Sequence, residues 1–393
     1  MVHSLVRWSR TNACKAAMLA FAVGGLGTAH GELPVETLTM EPLAAADPYR
    51  IYLTDPVMPH LVDGRVHVID GSRMRYLGLT GAGFSASTVL SRDRKELYVA
   101  TTYHSRLQRG TRTDVVEVYN TDDLSFKHEI EIPAKHAQGL QIKALLQTTS
   151  DNRFLLVQNA TPATSVTVVD LQQRKAVGEI ANPGCWGVLP WRAPATRFST
   201  VCGDGTLMTF DLDATGANAT SARSAKFFDP DVDPVFMHYE MLDDRATFVS
   251  YAGKVHGIEL AGTEPRFEQP WSLLDAASAK RGWRPGGYQF FAVEPRRGRL
   301  FVAMHEGAAE GSHKNPAKEV WVFDLNRKQR VARMPGHTAI SMTVARTETP
   351  RLFLLSGADN SIVAYDVRDD SRLKKPLIVS APMGETPVYL ETH

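Results

Sequence analysis

SVTVVD, Ser165–Asp170, is the stretch whose reading decides the fold. Apolar and polar residues alternate over about five positions, the period-two signature of a half-buried β-strand. The run stops on an acid. The same form recurs as RVHVID to Asp70, DVVEVYN to Asn120, TLMTFD to Asp211, KVHGIE to Glu259, EVWVFD to Asp324 and SIVAYD to Asp366. The intervals between these ends are 50, 50, 41, 48, 65 and 42 residues. Working outward, a second apolar run precedes most of them, as in RFLLVQNA (Arg153–Ala160) and RLFLLSG (Arg351–Gly357), each entered through a polar turn. After the acid comes a turn and another strand, as in DLQQRKAVGEI. Each unit therefore reads strand, turn, strand, turn, strand over about 40–50 residues, the period and content of a propeller blade.

Seven such units predict an all-β chain, a seven-bladed β-propeller over residues 49–393. RIYLTD (Arg50–Asp55) opens this region and PVYLETH (Pro387–His393) ends it. Pairing of Val388–Thr392 beside the N-terminal strands would close the ring and remove a free sheet edge. A β-sandwich fits evenly recurring units poorly. One helix is expected in PWSLLDAASAKRGWRPGG, with Ser272-x-x-Asp275 as a capping-box-like start and Pro285 forbidding continuation. That insertion accounts for the 65-residue interval.

The N-terminus has a different composition. Arg7, Arg10 and Lys15 precede an apolar run, Ala16–Gly27, too short to span a bilayer, and small residues follow. This order predicts a secretory signal peptide over residues 1–31, cut after Ala29 or Gly31, and export to the periplasm. Residues 32–48 are expected to form a flexible extension. The whole chain carries 44 Lys+Arg against 43 Asp+Glu, and loss of the signal leaves a slight acidic excess. Neither nucleic acid nor an anionic membrane surface is implied, and no membrane insertion is expected.

Cys185 and Cys202, the two cysteines beyond the signal, flank a turn whose midpoint falls between Ala193 and Pro194. Positions equidistant from a hairpin turn face each other, and an oxidising compartment preserves a bridge between them. Metal binding would need further ligands nearby, and no C-x-x-C is present. A structural disulfide is the expectation.

Catalytic motifs are few. G-x-S-x-G, H-E-x-x-H and C-x-x-C-H do not occur, and GLTGAGFS has Ala86 where a dinucleotide fingerprint needs glycine. His305 and His313 flank a Gly-rich loop and read as solvated. Asp229, Asp231 and Asp233 have D-x-D-x-D spacing with Glu240 beyond, but Pro234 occupies the position where a calcium loop turns on glycine. That segment reads as an acidic loop. Arg106, Arg109 and Arg112 make the densest basic stretch and read as a solvated face.

Several longer motifs then converge. TTYHSRLQRGTRTDVVEVYN, QNATPATSVTVVDL, GCWGVLP, TVCGDGTLMTFDL, GWRPGGYQ, SHKNPAKEVWVFD and KQRVARMPG, in that order, resemble the large (heavy) subunit of the periplasmic quinoprotein amine dehydrogenases over about residues 45–390. QNATPATS, GCWGV and KQRVARMPG are more similar to the aromatic amine dehydrogenase large subunit than to that of methylamine dehydrogenase. The resemblance implies a seven-bladed propeller in a heterotetramer of two large and two small subunits. It implies oxidation of primary amines to aldehyde and ammonia, with electrons passing to an azurin- or amicyanin-like copper protein. It places the cofactor, tryptophan tryptophylquinone, and the catalytic aspartate on the disulfide-rich small subunit, leaving no catalytic, cofactor-binding or metal-binding residue on this chain. Phe84 matches a phenylalanine near the mouth of the small subunit's active site, which implies that it lines the substrate channel. Cys185 and Cys202 match the family's disulfide pair. Two other classes remain for comparison: a propeller hydrolase with a metal on its axis, and a periplasmic binding propeller without a catalytic partner.

Overall fold

The computed structural model describes residues 42–139 and 141–393. The expected signal peptide, residues 1–31, and residues 32–41 lie outside them. The described chain is all-β, built of antiparallel sheets. Each of the seven recurring runs, six ended by an acid and one by Asn120, is a strand, third in a run of four neighbours. Around Ser165–Asp170 the order is Leu146–Thr148, Phe154–Asn159, Ser165–Asp170, Lys175–Ala181, with Phe154 opposite Asp170 and Leu156 opposite Val168.

At four of these ends the terminal acid has a local cause. Its Oδ1 accepts the backbone N–H two residues on: Ser72 to Asp70 at 2.8 Å, Gln172 to Asp170 at 2.9 Å, Asn326 to Asp324 at 3.0 Å and Arg368 to Asp366 at 3.0 Å. A second N–H, three residues on, joins at Asp70, Asp170 and Asp324. The carboxylate thereby closes the turn into the fourth strand, satisfying donors that the turn would leave orphaned.

The alternation in Ser165–Asp170 predicts one solvated face, but the structure buries the strand along its whole length. Successive sheets stack face to face. Val116, Val118 and Ile130 of one pack on Leu155, Val157 and Val169 of the next. The other face of that next sheet, with Phe154, Val166 and Val168, meets Val188, Phe198 and Phe210. The polar positions are paired inside instead of hydrated: Asn159 Nδ2 donates to Ser165 Oγ and Thr167 Oγ1, both at 2.9 Å.

The first strands of these runs touch one another in chain order. The second half of Arg75–Leu90 contacts Leu146–Thr148, which contacts Cys185–Pro190. Tyr239 Oη donates to the Val188 carbonyl at 2.6 Å, and His238 Nε2 donates to the Phe291 carbonyl at 2.9 Å. Gln289 Nε2 donates to the Leu390 carbonyl at 3.1 Å, and the Thr88 N–H donates to Tyr389 Oη at 2.7 Å. The last strand, Tyr389–Thr392, pairs antiparallel with Arg50–Asp55, with Leu53 opposite Leu390.

The helix differs from its expected start. It is Ala276–Lys280, capped by Asp275, whose side chain accepts the Ser278 N–H at 2.7 Å. Ser272 cannot serve as the cap because its Oγ is engaged with the backbone of Leu274 in a local turn. Cys185 and Cys202 are opposite each other in register on Cys185–Pro190 and Arg197–Cys202 and are joined as a disulfide, S–S 2.01 Å.

Candidate functional site: the kink at Phe84

Arg75–Leu90 serves two sheets. Its first half pairs with Gly64–Asp70 and its second half with Glu96–Arg106. The change of partner falls at Phe84, between Gly83 with φ 52° and Ser85 with φ 56°. Gly83 is required there, because a Cβ would lie 2.6 Å from Thr101 Oγ1. Ser85 is a side-chain-bearing residue in the left-handed region and is held from outside: Gln141 Nε2 donates to its Oγ at 2.8 Å. Thr101 Oγ1 donates to the Ala82 carbonyl at 2.7 Å and also lies 3.2 Å from that of Phe84. The kink presents Phe84 half-buried, its ring edge-on to His104 at 6.0 Å between centroids. His104 Nδ1 is buried without a hydrogen-bond partner among the described residues.

Beside Phe84 the strands Glu96–Arg106 and Arg109–Asn120 extend as a hairpin whose tip residue, Leu107, is 76% exposed. The three arginines of the basic stretch separate here. Arg106 and Arg109 face each other at the exposed tip. Arg112 does not belong to a solvated face. Its Nε and Nη2 lie 2.7 and 2.6 Å from the two carboxylate oxygens of buried Asp114, and Nη2 also donates to the His136 carbonyl at 2.9 Å. A bidentate guanidinium–carboxylate pair fixes geometry as well as charge, so Arg112 ties the hairpin to the loop at His136. Burial pushes the His136 imidazole down to about 4, against the opposing pull of Asp114, so it is neutral at physiological pH.

A second feature escaped motif reading. Gln158, of QNATPATS, is buried and donates from Nε2 to the Asn159 and Ser165 carbonyls at 2.9 and 3.0 Å. Its Oε1 accepts the Gly187 N–H, from GCWGV, at 3.0 Å. Two motifs distant in sequence are thus one buried polar knot, joining the second strand of one sheet to the first strand of the next.

The remaining candidates do not gather around Phe84. His305 ends a buried strand and is itself buried, not solvated; burial lowers its affinity for a proton. His313 stacks on Tyr251 at 4.9 Å and 18°. The acidic segment divides. Asp233 accepts from Ser250 Oγ at 2.8 Å and the Ala252 N–H at 2.7 Å, whereas Glu240 faces Arg346 at 2.7 Å. Among the described residues no three His, Cys, Asp or Glu side chains are grouped to hold a metal ion. No helix among them is long and apolar enough to cross a membrane.

With this geometry in place, comparison with known proteins is decisive. The family model of the methylamine dehydrogenase heavy chain matches residues 47–387. The chain belongs to that family. The heavy chain of Methylobacillus flagellatus methylamine dehydrogenase is 28% identical over 348 residues, covering 88% of this chain and 85% of the relative. That of Methylophilus methylotrophus is 28% identical over 329 residues, covering 82% and 79%. Among solved structures, the β-propeller domain of Cps50 (Swd1) from Myceliophteria thermophila aligns with a TM-score of 0.53 over 82% of this chain and 97% of that one. Its 10% identity makes this a likeness of fold, and the fold is propeller-like. Membership identifies the chain as an amine dehydrogenase heavy chain.

One close pair of tryptophans among the described residues tests the fit to a tryptophan-derived cofactor. Trp283 and Trp321 lie 5.0 Å apart, centroid to centroid. Both are buried, 1% and 0% exposed, and Arg333 covers the two rings at 5.2 and 5.1 Å. A redox quinone must present a ring edge to substrate, so this pair does not fit such a group. It is a core contact.

Proposed function

We propose that this heavy chain is the large subunit of a periplasmic amine dehydrogenase complex, delivered by its N-terminal signal. Its sheets are the seven blades of one propeller, closed where the two chain ends pair. The heavy chain docks a small, disulfide-rich subunit in a two-plus-two heterotetramer. On that small subunit, tryptophan tryptophylquinone supplies the acceptor for the two electrons removed when a primary amine becomes aldehyde and ammonia. An azurin- or amicyanin-like copper protein then takes the electrons. The heavy chain moves no proton in this scheme. It positions and encloses: Phe84, fixed by the kink and backed by His104, lines the path of the substrate to the small subunit, and the Cys185–Cys202 bridge staples two strands of one blade.

One observation carries the reading, the family match over residues 47–387. Preference for arylalkylamines rests on QNATPATS, GCWGV and KQRVARMPG, and a half-buried aromatic at the path suits an aryl substrate. The test is steady-state kinetics of the reconstituted complex with phenylethylamine and with methylamine, read through reduction of a dye. A kcat/KM ratio favouring phenylethylamine by about tenfold or more is expected, the scale that apolar complementarity can reach. Equal or reversed preference would overturn the aromatic assignment.

A further inference from the structure

Where Val89, Pro190, Met241, Val344 and Thr392 end or nearly end their strands, a cavity of about 560 Å³ opens. Phe84 stands at the other end of the half-strand that finishes with Val89 and Leu90, so the cavity is separate from the kink. Its lining includes buried Ala144 and His238. Arg92, Arg192 and Arg346 are exposed at its mouth.

Five cationic side chains line it, Arg92, Arg94, Lys143, Arg192 and Arg346, against three side-chain carboxylates, Glu240, Asp243 and Glu391, with His393 beside them. Each carboxylate is already engaged by an arginine: Glu391 with Arg94 at 2.9 Å, Glu240 with Arg346 at 2.7 Å and Asp243 with Arg192 at 3.3 Å. Two cations are left over. Arg92 is held by neutral carbonyls, donating from Nη2 to Thr148 at 2.8 Å and from Nε to Thr149 at 3.3 Å, so it is positioned but its charge is not cancelled. Lys143 is in no ion pair with another described residue, though it stands close enough to influence Glu391. Burial works to raise that carboxyl, and the charges of Lys143 and Arg94 hold it below the ordinary value. His238 is kept neutral by burial and its Nε2–H is spent on the Phe291 carbonyl. A cation therefore finds no unpaired side-chain carboxylate in this lining, and an apolar ligand would desolvate five cationic side chains.

We propose that this cavity is a binding site for a small dianion, such as phosphate or a short dicarboxylate, held between Lys143 and Arg92. Convergent ammonium and guanidinium donors from separate strands and turns, in a concave polar site, are the arrangement that recognises such a group. Titration calorimetry on the purified complex at low ionic strength, with inorganic phosphate and separately with succinate, distinguishes an oxyanion from a dicarboxylate. One saturable site per heavy chain, with a Kd tighter than about 1 mM for one of the two, is expected. Lys143→Gln and Arg92→Gln should each weaken it about tenfold, the loss of one charge-assisted contact, and Lys254→Gln, outside the cavity, should not. No saturable binding of either probe, or binding indifferent to both cavity substitutions, would overturn the proposal. Either result leaves the amine dehydrogenase reading untouched, since that stands on assembly and turnover.

Discussion

At the scale of the residue, Phe84 shows how much placement depends on neighbours that sequence does not advertise. GAGFSAS reads as a failed motif, yet Gly83 and Ser85 supply two positive φ angles in three residues, and those angles mark the change of partner at Phe84. Phe84→Ala in the reconstituted complex should leave assembly intact and lower the phenylethylamine-to-methylamine ratio of kcat/KM about tenfold, as expected for loss of apolar contact with one substrate only. An unchanged ratio would remove Phe84 from the path. His136 makes a separate prediction. Its pKa is lowered to about 4 in the fold against an ordinary value of 6.5, so the unfolded chain binds the extra proton first. The stability it contributes is complete above about pH 6.5 and is lost as pH falls toward 4, by roughly 2–4 kcal/mol. Urea titrations at pH 7.5 and 4.5 should show a smaller loss in His136→Phe, which keeps a planar ring and removes the titration.

At the scale of the element, the acid that ends four of the third strands, Asp70, Asp170, Asp324 and Asp366, was legible because its cause lies within three residues. Turn chemistry is local, and local chemistry survives in sequence. Asp170→Ala should cost about 1–2 kcal/mol, because it strands the Gln172 and Gln173 N–H groups. A denaturant midpoint equal to wild type would show that water replaces the carboxylate. The disulfide was legible for the same kind of reason: Cys185 and Cys202 are nearly equidistant from one turn, and the register puts them opposite. What was not legible was set by other sheets. The alternation of Ser165–Asp170 suggested a wet face, and only stacking of the next sheet explains why Thr167 is buried and bonded to Asn159. The helix start moved from Ser272 to Asp275 because Ser272 found a nearer partner in Leu274. Arg112 looked like one of three solvated arginines until the pairing of the hairpin placed Asp114 beneath it.

At the scale of the whole molecule, repetition made the architecture readable and dispersal hid the cavity. Seven recurrences at 41–65-residue intervals point to one supersecondary unit used again and again. The cavity's charges lie at positions 92, 94, 143, 192, 240, 243, 346 and 391, never more than two to a unit, and no short window of sequence contains the set. The central claim is that this heavy chain works only with a quinone-bearing partner. The most direct test is to recover it from the periplasm of amine-grown cells and record the absorption of whatever co-purifies. A small, disulfide-rich chain whose visible chromophore bleaches when phenylethylamine is added is the predicted result. A colourless heavy chain without a partner would contradict the account and leave a propeller that binds something else.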